Sequence, residues 1–240
     1  MSQPTTLDIA ANDLDALNAG FADAPPEAIL RWTWETFGER AAASSSFQTQ
    51  SVPLLHLIGQ VCPGLPVIFL DTGFHFAETL AFRDDLIARF GLNVVVVRRQ
   101  PGQTGALHLS GDPLYRTDPD LCCYINKVEP MQRALKAYDA WLSGVRHDQT
   151  ENRAGKRIFE RRADGLLQIH PVLAWTKRDM WTYINRHDLP AHPLLAQGYL
   201  SIGCAPCTRP VTDGQDERAG RWVGTDKTEC GLHLDDDKQL

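Results

Sequence analysis

Residues 66–71, PVIFLD, and residues 93–98, NVVVVR, are two continuous apolar runs of strand length. Between them His75–Phe90 carries apolar residues at helical spacing, and Gly91 supplies the stop. A strand that is apolar throughout is buried on both faces, as in a parallel sheet covered by helices. Working outward toward the N-terminus, residues 40–46 (RAAASSS) read as a short buried strand. Val52–Val61 reads as a helix, since Pro53 is tolerated in a first turn. Toward the C-terminus, Ala140–Gly144 (AWLSG) is a further core strand. This alternation predicts an α/β fold: an open, mostly parallel sheet with helices on both faces.

The flanks complete the outline. Residues 7–38 read as two helices, the second opening after Pro25-Pro26 with Glu27 in its first turn and closing at Gly38. Trp32 and Trp34 are packing residues there. Residues 99–121, rich in Gly, Pro and Asp, form a long loop. A helix holds Cys122–Val128, and Pro130 starts the next. Ile158–Arg162 and Leu166–His170 flank Asp164-Gly165, a hairpin signal. Thr176 caps a helix ending near His187, with Asp179 at its N3 position. Three parts are expected: N-terminal helices over 1–38, a nucleotide-binding α/β domain over 39–210 that carries the paired cysteines, and a mobile C-terminal segment over 211–240.

The chain has 240 residues, 43% hydrophobic and 22% charged, which is ordinary for a soluble globular protein. Its net charge of −6 argues against holding a long nucleic acid by bulk electrostatics. Lys156-Arg157 and Arg161-Arg162 belong to the exposed hairpin instead. The N-terminal MSQPTTLDIAA lacks a basic region followed by an apolar one, and the apolar runs are short for a membrane span. A cytoplasmic location is expected. In a reducing compartment, cysteines are metal ligands or catalytic thiols more often than disulfides.

Of six cysteines, Cys122 and Cys123 are adjacent and Cys204 and Cys207 form a Cys-x-x-Cys. If the two pairs meet, four thiolates can hold a 4Fe–4S cluster or a structural zinc. The vicinal pair favours a cluster with separate iron corners over one small tetrahedral ion. Lys127, four residues after Cys123, shares its helical face. Cys62 reads as a core filler. Cys230, beside Gly231 near the chain end, follows a loop containing Arg218, Gly220, Arg221 and Trp222; nearby cations would favour its thiolate. The Ser-rich segment 44–51 (SSSFQTQS) sits between a strand and a helix, where backbone N–H groups and hydroxyls suit an anion, though it is not a Walker A loop. Asp71 closes a strand where ligands commonly bind, or caps the following helix.

The chain resembles the assimilatory adenylylsulfate (APS) reductases, relatives of the PAPS reductases within the adenine-nucleotide α-hydrolase-like fold. The resemblance spans roughly 40–233. It rests on SSSFQTQS at 44–51, LDTGFHF at 70–76, CCYINK at 122–127, WLSGVRHDQ at 141–149, GCAPCTRP at 203–210, ERAGRW at 217–222 and ECGLH at 229–233. It implies that Cys122, Cys123, Cys204 and Cys207 bind a 4Fe–4S cluster and that Cys230 is the nucleophile. It points to Lys127, Arg218, Arg221 and His233 around the phosphosulfate, and to Ser44, Ser46 and Gln50 in a modified phosphate loop. Leu70, Asp71, Gly144 and Arg146 would lie near the nucleotide. Gln48 is a departure, because family members often carry Gly there.

The activity implied is thioredoxin-dependent reduction of adenylylsulfate to sulfite and AMP through an enzyme S-sulfocysteine, with a thioredoxin- or glutaredoxin-type dithiol as partner. PAPS reductases without the cluster lack the cysteine pairs, which favours APS as substrate; some cluster-containing relatives accept PAPS too. Competing readings are an ATP-pyrophosphatase-type sulfurtransferase of the same fold, whose loop characteristically carries a Ser-Gly-Gly run absent from 44–51, and a non-catalytic metal or nucleotide sensor. No nucleic-acid or membrane partner is expected. Against the acidic total stands a local gathering of Lys127, Arg146, Arg218 and Arg221.

Overall fold

The computed structural model describes residues 11–102, 111–225, 227, 231 and 232. Six strands form one sheet in the order β3-β2-β1-β4-β6-β5. They are β1 (Ala41–Ser44), β2 (Pro66–Leu70), β3 (Asn93–Val97), β4 (Ala140–Ser143), β5 (Phe159–Arg161) and β6 (Leu167–Ile169). All neighbours are parallel except the β5–β6 hairpin. The helices are α1 (Ala11–Gly20), α2 (Pro26–Phe37), α3 (Val52–Val61), α4 (Ala77–Phe90), α5 (Leu114–Thr117), α6 (Pro119–Cys123), α7 (Glu129–Leu135), α8 (Glu151–Ala154) and α9 (Lys177–Arg186). Among the described residues no helix is long and apolar enough to cross a membrane.

The strands are apolar on both sides because two layers cover them. Ala41, Ala43, Val67, Phe69 and Leu142 join α2, α3 and α4 through Ile29, Leu30, Leu54, Ile58, Phe82 and Leu86. On the opposite face Ala42, Ile68 and Trp141 meet Met131 and Leu135 of α7. Each fully buried aliphatic side chain contributes about 1.5–3 kcal/mol, so the alternation fixes which residue faces which layer. The chain runs from β1 outward to β2 and β3, then returns to place β4 on the other side of β1. That reversal opens a crevice at the carboxyl ends of β1 and β4, the usual ligand position in open α/β sheets.

Local signals place the helix ends. Pro26 occupies the first turn of α2, and Gly38 caps it at φ +53°. Gly91 closes α4 in the left-handed region, donating to the Ile87 carbonyl. Thr176 and Asp179 form the expected reciprocal cap of α9. The basic residues of the hairpin are held locally: Lys156 by Glu160 (3.5 Å), Arg157 by Asp15 (2.7 Å) and Arg162 by Asp164 (3.4 Å), while Arg161 donates to the Gly165 carbonyl (2.8 Å).

Three expectations need adjustment. Helix α4 begins at Ala77 rather than His75, because the His75 ring turns back so that Nε2 donates to the Leu70 carbonyl at 2.9 Å. The loop read over 99–121 contains α5 and the start of α6, and 103–110 lies outside the described residues. Cys122–Val128 and the segment after Pro130 are not two helices: α6, a π-helical turn Tyr124–Val128 and α7 run on without a break. Pro130 lacks the N–H that an α-helix would bond to Asn126, and the wider π turn seats it without ending the helix.

Helices α3 and α4 approach at Gly59, where a Cβ would collide with the Phe90 carbonyl. Gly59→Ala would gain roughly 1 kcal/mol in helix propensity. Overpacking against a backbone atom costs about 1–3 kcal/mol, so the collision dominates. A net loss of up to about 2 kcal/mol is expected, read as a lower urea midpoint with unchanged slope; an unchanged or higher midpoint would show that the helices slide apart freely.

Candidate active site

Strand β1 delivers Ser44 to the crevice, and the following loop is pinned from several directions. Ser44 Oγ accepts from the Trp141 indole N–H at 2.9 Å, and the Ser45 N–H donates to the Ile68 carbonyl at 3.1 Å. Phe47 adopts φ +54°, costly for a residue with a Cβ, yet its ring is fully buried edge-on to Phe69 at 5.5 Å. Burying a Phe contributes about 1.5–3 kcal/mol, enough to offset strain of about 1–3 kcal/mol. Gln48 Oε1 accepts from the Ile202 N–H at 3.0 Å, tying the loop to the segment before Cys204. A Gly at 48 would leave that tie unmade. Thr49 Oγ1 accepts from the His192 N–H at 3.0 Å.

The β2 end forms the adjoining wall. Asp71 accepts from the Gly73 N–H (3.0 Å) and from Arg98 (2.8 Å). Burial works against its ionisation, but the Arg98 guanidinium, the Gly73 N–H and the nearby His75 outweigh it and hold Asp71 below its ordinary pKa. Thr72 Oγ1 accepts from the Phe74 N–H (3.2 Å) and shares a hydrogen bond with Cys204 Sγ, 3.3 Å away. Burial lowers the pKa of His75, with help from the Lys127 charge.

Cys122 and Cys123, Cys204 and Cys207 line one hollow of about 320 Å³, with Lys127, Asn126 and Pro206. The helical run brings the first pair, and a short turn, Ala205–Cys207, presents the second. The Ala205 N–H donates to the Phe74 carbonyl (2.7 Å) and the Trp222 N–H to the Cys207 carbonyl (3.1 Å), so this turn is anchored at both ends. Burial, followed by the charges of the other three cysteines, pushes the Cys122 thiol up to about 12, with Lys127 opposing. Burial and Cys204 raise Cys207 likewise. Thiolates gathered this closely need a cation among them. None of the cysteines at 62, 122, 123, 204 and 207 is in a disulfide. Among the described residues no three His, Cys, Asp or Glu side chains are disposed to hold a metal ion as they stand.

A larger cleft of about 1160 Å³ shares a wall with this hollow, since Lys127 and Cys204 line both. Ser44, Ser46, Gln50, Leu70, Gly144, Arg218 and Arg221 line it as expected. Trp222, buried at φ +47°, organises the cations: Arg221 stacks 4.3 Å from its ring centroid, with Arg218 and the Lys227 ammonium each at 5.8 Å. Gly203 leaves the space for Arg221, whose guanidinium a Cβ would strike.

Two basic residues divide differently from the sequence reading. Arg146, only 2% exposed, donates to Asp148 and Gln50 at 2.9 Å each and faces a smaller neighbouring hollow, away from the main cleft. Asp71 is likewise not among the cleft-lining residues. Arg153, buried on α8 and bonded to Gln149, does line the cleft. Nothing in the polar stretch around it distinguishes it in sequence. Gln149, His75, Thr79 and Ser143 were also missed and line the cleft. Cys230 and His233 lie outside the described residues; Leu232, between them, lines the cleft and packs against the Ile68–Trp141 layer.

Comparison with known proteins agrees with this geometry. Residues 40–210 match the phosphoadenosine phosphosulfate reductase domain. The chain is 43% identical over 235 residues (97% of it, 95% of the relative) to an adenosine 5'-phosphosulfate reductase of Chelativorans sp. (strain BNC1). It is 45% identical over 216 residues (88% and 89%) to one of Streptomyces coelicolor. It is 42% identical over 235 residues (95% and 96%) to a phosphoadenosine 5'-phosphosulfate reductase of Gloeobacter violaceus. Among solved structures, a PAPS reductase from Candida auris in a phosphate complex superposes with TM-score 0.72 at 26% identity, covering 84% of this chain and 98% of that one.

Cys62 stands apart in the core, its thiol pushed up to about 12 by burial. At pH 8 the folded protein should leave Cys62 unalkylated by iodoacetamide, with modification appearing only on unfolding. Peptide mass mapping checks this, and rapid labelling of Cys62 in the native state would contradict it.

Proposed function

The chain belongs to the phosphoadenosine phosphosulfate reductase family, and we propose that it reduces adenylylsulfate to sulfite and AMP in sulfate assimilation. The observation that carries this reading is the wall shared by the cleft and the four-cysteine hollow, with Lys127 and Cys204 on both sides. Cys122, Cys123, Cys204 and Cys207 would hold a 4Fe–4S cluster: four thiols around one hollow are the donor set it needs, and its iron would offset the burial and neighbouring sulfur charge that raise the Cys122 and Cys207 pKa values. When bound, the cluster supplies charge neutralisation and a rigid link between the two cysteine segments.

The chain's own residues supply the rest. The Ser44–Gln50 loop and the cations Lys127, Arg218 and Arg221 surround the phosphosulfate and stabilise charge as it moves to the leaving phosphate. Cys230 thiolate attacks the sulfur of adenylylsulfate. The bond from sulfur to the bridging oxygen breaks, AMP leaves with the electron pair, and S-sulfocysteine remains. A thioredoxin- or glutaredoxin-type dithiol then attacks Cys230 Sγ, and sulfite departs with the bonding electrons. The dithiol's second thiol resolves the mixed disulfide and returns Cys230 as a thiol. The dithiol thus supplies both electrons. His233 would serve beside the phosphosulfate, and Arg146 acts from behind Gln50 in the phosphate loop. A reducing cytoplasm suits cysteines that form no disulfide among the described residues. The Gloeobacter relative's name makes PAPS the substrate to compare.

Cys230→Ser should lower sulfite release at least about a thousandfold and leave no sulfur label on the protein after incubation with radiolabelled adenylylsulfate. Label retained by that variant would sink the nucleophile assignment. Lys127→Ala should cost about ten- to a hundredfold in kcat/KM. Cys122→Ser should lose bound iron and sulfide, measured by elemental analysis. An anaerobic assay with APS, PAPS and ATP separates the readings, since pyrophosphate release from ATP without sulfite from either sulfonucleotide would reject reductase activity.

A further inference from the structure

Besides the cysteines, the sheet gathers a second set of chemically active side chains: buried Ser143 at the carboxyl end of β4, buried His170 just after β6 and half-buried Glu160 in β5. Strands β4, β6 and β5 are consecutive neighbours in the sheet, with Leu142 paired to Ile169 and Glu160 to Gln168. Ser143 Oγ lies 2.9 Å from His170 Nδ1, and His170 Nε2 lies 3.4 Å from Glu160 Oε2. Lys156 Nζ stands 3.5 Å from the same carboxylate oxygen. Ser143 and His170 are 1% and 0% exposed, yet Ser143 also lines the large cleft. The proposed reaction uses none of the three.

The direction of the hydrogen bonds follows from charge. Burial opposes ionisation of Glu160, but His170 and Lys156 outweigh it and keep the carboxyl below its ordinary pKa. An ionised carboxylate only accepts, so His170 Nε2 carries a proton. Burial lowers the pKa of His170 against the pull of Glu160 and of the Ser143 carbonyl, so the ring holds one proton at neutral pH. Nδ1 is therefore an acceptor, and the Ser143 hydroxyl donates to it. An isolated serine could turn its hydroxyl either way. This one has its proton committed inward, leaving only lone pairs for the cleft.

We infer that Ser143 is a specificity-determining residue, held by His170 and Glu160 as a fixed acceptor for a neutral donor on the nucleoside, either the adenine 6-amino group or a ribose hydroxyl. An ionised phosphate or sulfate oxygen has no proton to offer it, so Ser143 marks the nucleoside end of the cleft. The inference rests on reading the cleft as an adenine-nucleotide site.

Binding of AMP, IMP, 2'-deoxy-AMP and 3'-deoxy-AMP to the full-length holoenzyme, measured by calorimetry, tests it. Wild type should bind AMP about tenfold more tightly than the analogue lacking the recognised donor, and the identity of that analogue distinguishes base from sugar. Ser143→Ala should reduce this ratio to about twofold or less, while Ser143→Thr, which keeps the hydroxyl, should preserve it. A merely structural serine would change the unfolding midpoint without moving the ratio. If the alanine variant fails to fold, Ser143→Cys, a weak acceptor of similar shape, carries the same comparison. AMP binding with no preference over any analogue, or with ratios unchanged in the variant, would overturn the inference alone. No AMP binding by wild type would overturn the functional reading and this inference with it.

Discussion

Four thiols, drawn from segments about eighty residues apart, sit around one small hollow beside a lysine. As free anions they would repel one another in a medium that solvates charge poorly, and the elevated Cys122 and Cys207 pKa values express that conflict. Much of the surrounding architecture serves to bring these sulfurs together. The π-helical turn keeps Asn126 and Lys127 at the hollow, with Asn126 Nδ2 donating to the Cys122 carbonyl at 2.9 Å. Thr72 is hydrogen-bonded to Cys204, and Gly203 lets Arg221 pass close behind the second pair. The Thr208–Arg221 bridge ties the Cys-x-x-Cys turn to the cation-bearing loop.

This arrangement matters to the cleft because the two share residues. Lys127 lines both the four-cysteine hollow and the cleft, so its charge is felt in each. Around Trp222 three cations gather on one aromatic ring, which places positive charge locally in a chain whose total is −6. The Ser44–Ser51 loop is held by several contacts, including a buried phenylalanine in the left-handed region. A loop fixed in this way meets its ligand with little reorganisation, the condition under which backbone N–H groups and hydroxyls stabilise charge best.

Much of this was legible in the sequence. PVIFLD and NVVVVR identified doubly covered parallel strands, and Asp164-Gly165 marked the hairpin, because apolar runs and turn residues reflect local physics. The cysteine pairs stood out by spacing alone, and the fold brings all four to one hollow. Other features were not legible. Cys122–Val128 and Pro130 suggested a break, where the helix instead widens by a π turn. Arg146 resembled a ligand-binding cation, yet Asp148 and Gln50 occupy it, whereas unremarkable Arg153 reaches the cleft.

The sequence by itself determined the layers, the order of most elements and the paired spacing of four cysteines, since each depends on residue type and short-range spacing. Tertiary structure alone decided which polar groups meet. Ser143, Glu160 and His170 have no common motif, and only the β4-β6-β5 neighbourhood makes them one hydrogen-bonded chain. Gln48 departs from a family habit in sequence, and its role appears only when Ile202 is found against it. The physical reason is the same in each case. A hydrogen bond needs its two partners within about 3 Å, and only the folded sheet sets distances between residues remote along the chain.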